Sequence, residues 1–128
     1  MEAGELNTVE IKLPDGFKIR AEMMVRPEDL VKGMKFRPSL EPNRGMLFMH
    51  SKEGSYAHWM YEVLIPLDMI WMDRNRRIVQ VVHHAPPCPG PKEQCLSYGG
   101  QYPAIYILEV AAGTAARHGL KPGVQLDF

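Results

Sequence analysis

Alternation of apolar and polar residues predicts a sheet-rich chain that begins with a hairpin. Residues 9–13 and 17–23 both alternate between apolar and mostly charged side chains, which is the period of a half-buried strand. Pro14, Asp15 and Gly16 separate the two runs and favour a turn. The two strands are therefore predicted to pair as an antiparallel hairpin.

The next segment has the spacing of a helix. Pro27 suits the first helical position, and Leu30, Val31 and Met34 fall on one face. Because Pro38 cannot continue a helix, the pattern predicts about three turns.

The remainder of the chain predicts further strands and one more short helix. Residues 67–72 are apolar on both faces, so we expect them to form the centre of the sheet with their hairpin partner, residues 78–82. Residues 85–103 form a long loop rich in Pro and Gly, and a second helix is expected at 113–118. The other predicted strands are 45–49, 56–61, 104–110 and 124–128.

This order of elements predicts an α+β, mostly β fold. We expect a single compact domain with a curled antiparallel sheet or small β-barrel and two short helices. A chain of 128 residues suits one domain, residues 1–128, of which 1–8 form a loose N-terminal lead.

Charge and composition argue against a nucleic-acid partner and against a membrane span. Fifteen basic and fifteen acidic residues give a net charge of zero, so no nucleic-acid partner is predicted. No run approaches the roughly 18 apolar residues of a membrane span. The first five residues have neither a basic nor an apolar region, so no signal peptide is predicted in this chain. The protein is expected to be periplasmic or extracellular if a signal peptide has been removed, and cytoplasmic otherwise.

Asp68 is the candidate catalytic residue. It lies between Leu67 and Met69 in the apolar strand, where an ionised carboxylate must be paired, hydrogen-bonded or raised in pKa. A structural interpretation stands beside this one, because backbone or Trp N–H groups could satisfy a buried Asp equally well.

The two cysteines and two adjacent histidines before them are candidates for a disulfide or a metal site. Cys88 and Cys95 lie seven positions apart in the long loop, where a disulfide is the leading interpretation, with free thiols or metal ligation as alternatives. His83 and His84 could join the thiols in a metal site, although zinc sites usually show closer paired spacings. Neighbouring strand residues face opposite sides, so we expect at most one of the two histidines to take part.

Other catalytic and cofactor motifs are not found in the sequence. It contains no Gly-x-Ser-x-Gly elbow and no glycine-rich phosphate loop. No cofactor is therefore predicted.

Short motifs along the chain resemble a known family, the bacterial and archaeal domain of unknown function 192 (DUF192). The resemblance runs from about residue 9 to residue 128, and it implies a compact, mostly β domain whose biochemical function is not established and whose members often carry a signal or lipoprotein segment. The sequence departs from the family pattern at residues 61–63, where a basic residue, Asn and Thr are typical. The motifs are Gly33-Met34-Lys35-Phe36-Arg37, Gly45-Met46-Leu47-Phe48, Trp59-Met60, Ile65-Pro66-Leu67-Asp68, Pro87-Cys88, Cys95, Tyr106-Ile107-Leu108-Glu109 and Gly113.

Two functions from different classes follow. The first is a non-catalytic binding or accessory module of an exported bacterial protein, with a small molecule or a protein as partner. Its predicted binding surface comprises Trp59, Asp68, Tyr98 and Glu109 beside the cysteine loop. The alternative is a small hydrolase-like enzyme that uses Asp68 with a nearby histidine, His83 or His84.

Overall fold

The computed structural model describes residues 7–128, which contain eight strands and two short helices. The prediction of a mostly β fold with two short helices is confirmed. No helix in the described range has the length and apolar composition needed to cross a membrane. The helices are α1 (Pro27–Lys32) and α2 (Thr114–Arg117), and one 3-10 turn spans Lys92–Gln94. The strands are β1 (Thr8–Lys12), β2 (Lys18–Met24), β3 (Arg44–Gly54), β4 (Ala57–Trp59), β5 (Leu67–Met72), β6 (Ile78–Ala85), β7 (Ser97–Gly99) and β8 (Ala104–Ala111).

Six strands form one sheet in the order β1-β2-β3-β8-β5-β6, and β4 pairs with β7 in a separate two-stranded sheet. The predicted hairpin is confirmed, with Ile11 opposite Ile19 in β1 and β2. The sheet is mixed and not purely antiparallel as predicted, because β2 and β3 run parallel. Parallel neighbours need a crossover, and α1 with the loop after it carries the chain back.

The sheet does not close into a barrel, so of the two predicted forms, an open sheet or a small barrel, the open sheet is the one observed. The C-terminal segment, predicted as a strand over 124–128, instead makes isolated bridges to both edges of the sheet. The Lys12 amide donates to the Asp127 carbonyl at 2.9 Å, and the Ile78 amide donates to the Val124 carbonyl at 2.8 Å.

The predicted centre of the sheet is correct for β5 and wrong for β6. β5 lies between β8 and β6, whereas β6 is an edge strand. Strand β8, which lies more than thirty positions later in the chain than β5, is the strand that separates β3 from β5. Local pattern cannot show this order because it depends on pairing between distant segments.

The predicted first helix is shorter than expected, and most of the predicted N-terminal lead falls outside the described residues. Residues 1–6 of the lead lie outside the described part of the chain, and Thr8 already pairs with Glu22 in the sheet. Helix α1 ends after six residues because Gly33 takes a φ of +48°, a left-handed conformation that favours glycine. A Cβ at Gly33 would lie 3.2 Å from the Phe48 ring, so the end of α1 packs directly over β3.

The two faces of the sheet carry separate cores, as strand β5 makes clear. Successive residues point to opposite faces, and all six of its side chains are buried. Leu67, Met69 and Trp71 pack in one cluster with Phe48 and Ile107, which we call the upper core. Ile70 and Met72 pack in the other with Ile11, Ile19 and Leu47, which we call the lower core.

Candidate functional site

A cavity of about 450 Å³ lies on the upper-core side of the sheet. Its walls come from the end of α1, from β3, from β4 with the residues around it, and from β8. Aromatic walls with a few polar groups are typical of small-molecule sites. The aromatic lining residues are Phe48, Tyr56, Trp59 and Tyr61, and the lining residues with a charged or imidazole side chain are Lys32, Lys35, His50, His58 and Glu109.

His58, which is half-buried, and Glu109, which is buried, form a hydrogen-bonded pair in the cavity wall. The His58 Nδ1 and Glu109 Oε2 atoms are 2.9 Å apart, and the two side chains are 14% and 5% exposed. Glu109 lies between Met46 of β3 and Met69 of β5, so apolar neighbours flank it in the sheet. A buried carboxylate in such surroundings requires a hydrogen-bonding partner, and the imidazole supplies it.

His50 is the second imidazole of the cavity, and its surroundings differ from those of His58. Its ring stacks on Tyr56 with centroids 3.5 Å apart. No hydrogen-bond partner for its buried Nε2 is found within residues 7–128. Burial, and secondarily the nearby His58, lowers the pKa of His50 from its ordinary value of 6.5. The neutral form of His50 is therefore favoured.

The rim of the cavity combines aromatic and basic side chains. Trp59 is 39% exposed, and its ring lies 5.4 Å from that of Tyr61. The Lys35 ammonium lies 5.4 Å from the centroid of the Tyr61 ring and 3.7 Å from a carboxylate oxygen of Glu62. Phe36, the next residue along, is 62% exposed, so the surface beside this rim includes uncovered apolar area.

Cys88 and Cys95 form a disulfide, which confirms the leading interpretation of the cysteine loop. The Cys88 backbone bonds to the wall segment after β4: its amide donates to the Met60 carbonyl at 3.2 Å, and its carbonyl accepts from the Glu62 amide at 3.1 Å. Strand β7 begins two residues after Cys95 and pairs with β4. The disulfide therefore links two segments that support the cavity wall: the one at Cys88, which bonds to the residues after β4, and β7, which pairs with β4.

Asp68 lies on the opposite face of the sheet, away from the cavity. It is fully buried, and its oxygens accept hydrogen bonds from the backbone amides of His84 (2.9 Å), Gly113 (3.0 Å) and Ala115 (2.9 Å). Two of these donors start α2, so the carboxylate caps that helix. Asp68 therefore does not share a surface with Trp59, and it presents no exposed oxygen that could act as a general base.

The histidines proposed to accompany Asp68 do not build a site with it. The side chains of His83 and His84 are both exposed, and only the backbone of His84 contacts the Asp68 carboxylate. Both loop cysteines are engaged in the disulfide. Among the described residues, no group of three or more His, Cys, Asp or Glu side chains is placed to hold a metal ion.

The structure brings together three of the four residues predicted for the binding surface. Trp59 and Glu109 both line the cavity. Tyr98 of β7 lies directly opposite His58 of β4 and packs against the upper core. His50 and His58 were not predicted, because each lies in a short segment without a recognisable motif. One feature of the sequence could have identified His50: in a strand, residues two positions apart share a face, so His50 lies on the same face as Phe48 and Met46.

Comparisons with known proteins support the fold and leave the activity open. The model of the DUF192 family, described as uncharacterized ACR, matches residues 10–128. The chain is similar to a crystal structure of a "putative transcription regulator" from Sinorhizobium meliloti 1021, at 28% identity and a TM-score of 0.80, covering 94% of this chain and 91% of that one. It is also similar to a protein of unknown function from Novosphingobium aromaticivorans DSM 12444, at 28% identity and a TM-score of 0.82, covering 94% of this chain and 84% of that one. No curated protein matches the chain in sequence.

Proposed function

Because the chain belongs to the DUF192 family, whose members are uncharacterised, we propose its function from its own geometry: a non-catalytic module that binds a small, largely aromatic molecule. The observation that carries this proposal is the cavity of about 450 Å³ with the His58–Glu109 pair in its wall. Ligand sites usually measure roughly 300–1,000 Å³ and combine apolar walls with a few fixed polar groups.

The binding residues of this proposal differ from those suggested by sequence. Trp59, Tyr98 and Glu109 are retained, and His58 takes the place of Asp68. Trp59 supplies an exposed ring at the rim, and Tyr98 supports β4 from the opposite strand. Glu109 and His58 supply the polar group at the wall. A rigid aromatic surface with one oriented polar pair provides affinity and orientation together.

Binding is favoured over the hydrolase-like alternative because of where Asp68 lies. That alternative required the Asp68 carboxylate to meet a histidine side chain in a concave site. Its oxygens instead hold three backbone amides on the other face of the sheet.

We further propose that the native setting of the module is an oxidising compartment, as part of an exported bacterial protein. Disulfides persist in the periplasm and outside the cell and are rare in the cytosol. The bridge between Cys88 and Cys95 supports this location. A zero net charge does not favour nucleic acid as the partner, although one structural relative is described as a "putative transcription regulator".

The test is nuclear magnetic resonance titration of the isotope-labelled chain with three single-ring or fused-ring probes: indole, 4-nitroanisole and benzoate. We expect saturable shifts for at least one probe, confined to residues that line the cavity. Ala57→Phe adds a ring to the cavity wall and should weaken binding by about tenfold or more, since a loss of about 1.4 kcal/mol is tenfold. Val25→Phe, at an exposed position outside the lining, is the matched control. Failure of all three probes to give saturable shifts would contradict the proposal.

A further inference from the structure

We propose that the cavity takes aromatic weak acids of the phenol class and that His58 accepts their proton, an inference that rests on the proposed function. The reason lies in how the two nitrogens of His58 are used. Nδ1 lies 2.9 Å from Oε2 of Glu109. In the tautomer in which Nδ1 donates its hydrogen to this carboxylate oxygen, Nε2 has no hydrogen and is an acceptor.

This acceptor is available to a bound molecule. The imidazole lines the cavity, and no protein partner for its Nε2 is found within residues 7–128. A carboxylate that orients a histidine through Nδ1, and that lies against the positive charge formed on protonation, prepares Nε2 to take a proton. Glu109 is in this sense a positioning residue, because it acts on the ligand through His58.

The ring is also held in its orientation by aromatic neighbours. It meets the Phe48 ring edge to face at 4.8 Å and 84°, and it meets the Trp71 ring at 6.0 Å and 70°. Both neighbours are buried, so the imidazole has a fixed direction before any ligand enters. Fixed donors and acceptors lose less freedom on binding than mobile ones, which favours affinity.

The other ionisable groups around the cavity are less suited to this role. The Lys35 ammonium lies 3.7 Å from a Glu62 carboxylate oxygen and beside the Tyr61 ring, and the side chain of Lys32 lies at the exposed rim. His50 stacks on the Tyr56 ring, and its Nε2 is buried. Glu109 is the only acidic residue among the cavity lining in the described chain.

The aromatic class follows from the walls, and the proton transfer balances without any further reactant. Phe48, Tyr56, Trp59 and Tyr61 offer ring faces and edges to a planar ligand. The O–H bond of the phenol breaks, its proton forms an N–H bond on Nε2, and its electron pair stays on the phenolate oxygen. That oxygen then accepts a charge-assisted hydrogen bond from the imidazolium.

The experiment uses 4-nitrophenol, whose absorbance distinguishes the phenol from the phenolate, beside 4-nitroanisole, which has the same ring and no acidic proton. Titrations are run at a pH where most of the free probe is protonated. We expect bound 4-nitrophenol to show the phenolate spectrum and to bind about tenfold or more tightly than 4-nitroanisole, the range for one charge-assisted hydrogen bond. Equal affinities with no phenolate signal would overturn this inference and leave the proposed function standing. Failure of both probes to bind would overturn this inference, and with it the proposed function if indole and benzoate also fail to bind.

Variants assign the proton acceptor. His58→Gln should abolish the phenolate signal and the preference over 4-nitroanisole. The double variant His58→Gln, Glu109→Gln keeps an amide-to-amide hydrogen bond in the wall, so it provides a second measurement if the single change unfolds the chain. His83→Gln, at an exposed position outside the cavity, is the matched control and should retain both signals. Loss of the phenolate signal in His50→Gln, with retention in His58→Gln, would overturn the assignment to His58.

Discussion

Gly99 of β7 packs flat against the indole ring of Trp71, so closely that a Cβ at this position would lie 2.1 Å from Cζ2 of the ring. The indole Nε1 donates to the Tyr56 carbonyl at 2.7 Å, which ties the ring to the cavity wall. The two-stranded sheet of β4 and β7 therefore packs on Trp71. This sheet can approach the main sheet so closely only because Gly99 has no side chain.

Gly99→Ala should destabilise the domain for two reasons: the new Cβ would clash with the Trp71 ring, and the positive φ of this position is strained for alanine. Overpacking costs about 1–3 kcal/mol, and the φ of +79° adds about 1 kcal/mol for a residue with a Cβ. The free energy of unfolding from urea titrations measures the sum. Gly123→Ala is the matched control, because Gly123 has a φ of +96° and a Cβ added there would meet no other atom within 4 Å. Equal losses in the two variants would contradict a steric role for Trp71.

Asp68→Asn should destabilise the domain without altering ligand binding. An amide cannot accept hydrogen bonds at its nitrogen, so at least one of the three backbone donors loses its partner, at a cost of about 2–4 kcal/mol. Thermal unfolding measures this loss, with the exposed Asp127→Asn as control. Because Asp68 faces the lower core, probe affinity at a temperature where the variant is folded should match that of the parent chain. A large loss of affinity in the folded variant would return Asp68 to the site.

Acidification should reduce stability in two separate steps. The pKa of His50 is lowered mainly by burial, so the unfolded chain binds a proton more readily than the folded one, and stability falls as the pH drops below 6.5 toward the folded pKa. The pKa of Asp15 is lowered from its ordinary value of 3.8, mainly by its hydrogen bond to His118. The ionised carboxylate of Asp15 therefore stabilises the fold above pH 3.8, and this stabilisation is lost as the pH falls through the folded pKa. Unfolding midpoints measured across this pH range, with His50→Gln removing only the upper step, check the assignment. An unchanged upper step in that variant would contradict it.

Removing the disulfide should loosen the cavity wall along with the loop. The paired variant Cys88→Ser, Cys95→Ser opens a loop of eight residues, which corresponds to about 2–3 kcal/mol of stability in the chain-entropy treatment. Hydrogen exchange should accelerate most at the amides of β4, β7 and Glu62, which the loop holds in place. Amides of the β3–β8 pair serve as the internal control. Uniform acceleration over the whole sheet would show that the bridge stabilises the fold globally and not the wall.

Much of the fold could be predicted from local pattern, and the errors have a common cause. The hairpin, β5 and the cysteine bridge followed from alternation, turn residues and spacing within about twenty positions. The length of α1 was overestimated because Gly33 ends the helix through a φ that hydrophobic spacing does not report. Strand β7 lies within the predicted long loop and was not predicted, because three residues are too few to show an alternating pattern.

The candidate site was predicted only in part, for the same reason. Trp59, Tyr98 and Glu109 were identified as surface candidates, while His58 was not, because its partner lies fifty-one positions away in β8. Asp68 was correctly recognised as an unusual buried carboxylate, and backbone N–H groups were among the donors considered for it. Which amides donate could not be predicted, because those of His84, Gly113 and Ala115 lie sixteen to forty-seven positions away.

By itself the sequence determined what depends on neighbours along the chain: strand periods, the turn at Pro14–Gly16, the helix start at Pro27 and the reach of the cysteine pair. Tertiary structure alone decided which strands far apart in the chain are neighbours and what each face of the sheet packs against. Asp68 and Met69 are adjacent in the chain, yet one caps a helix below the sheet and the other packs beside Glu109 above it. The pleat sends successive residues to opposite faces, and only the packing of distant segments gives those faces different chemistry.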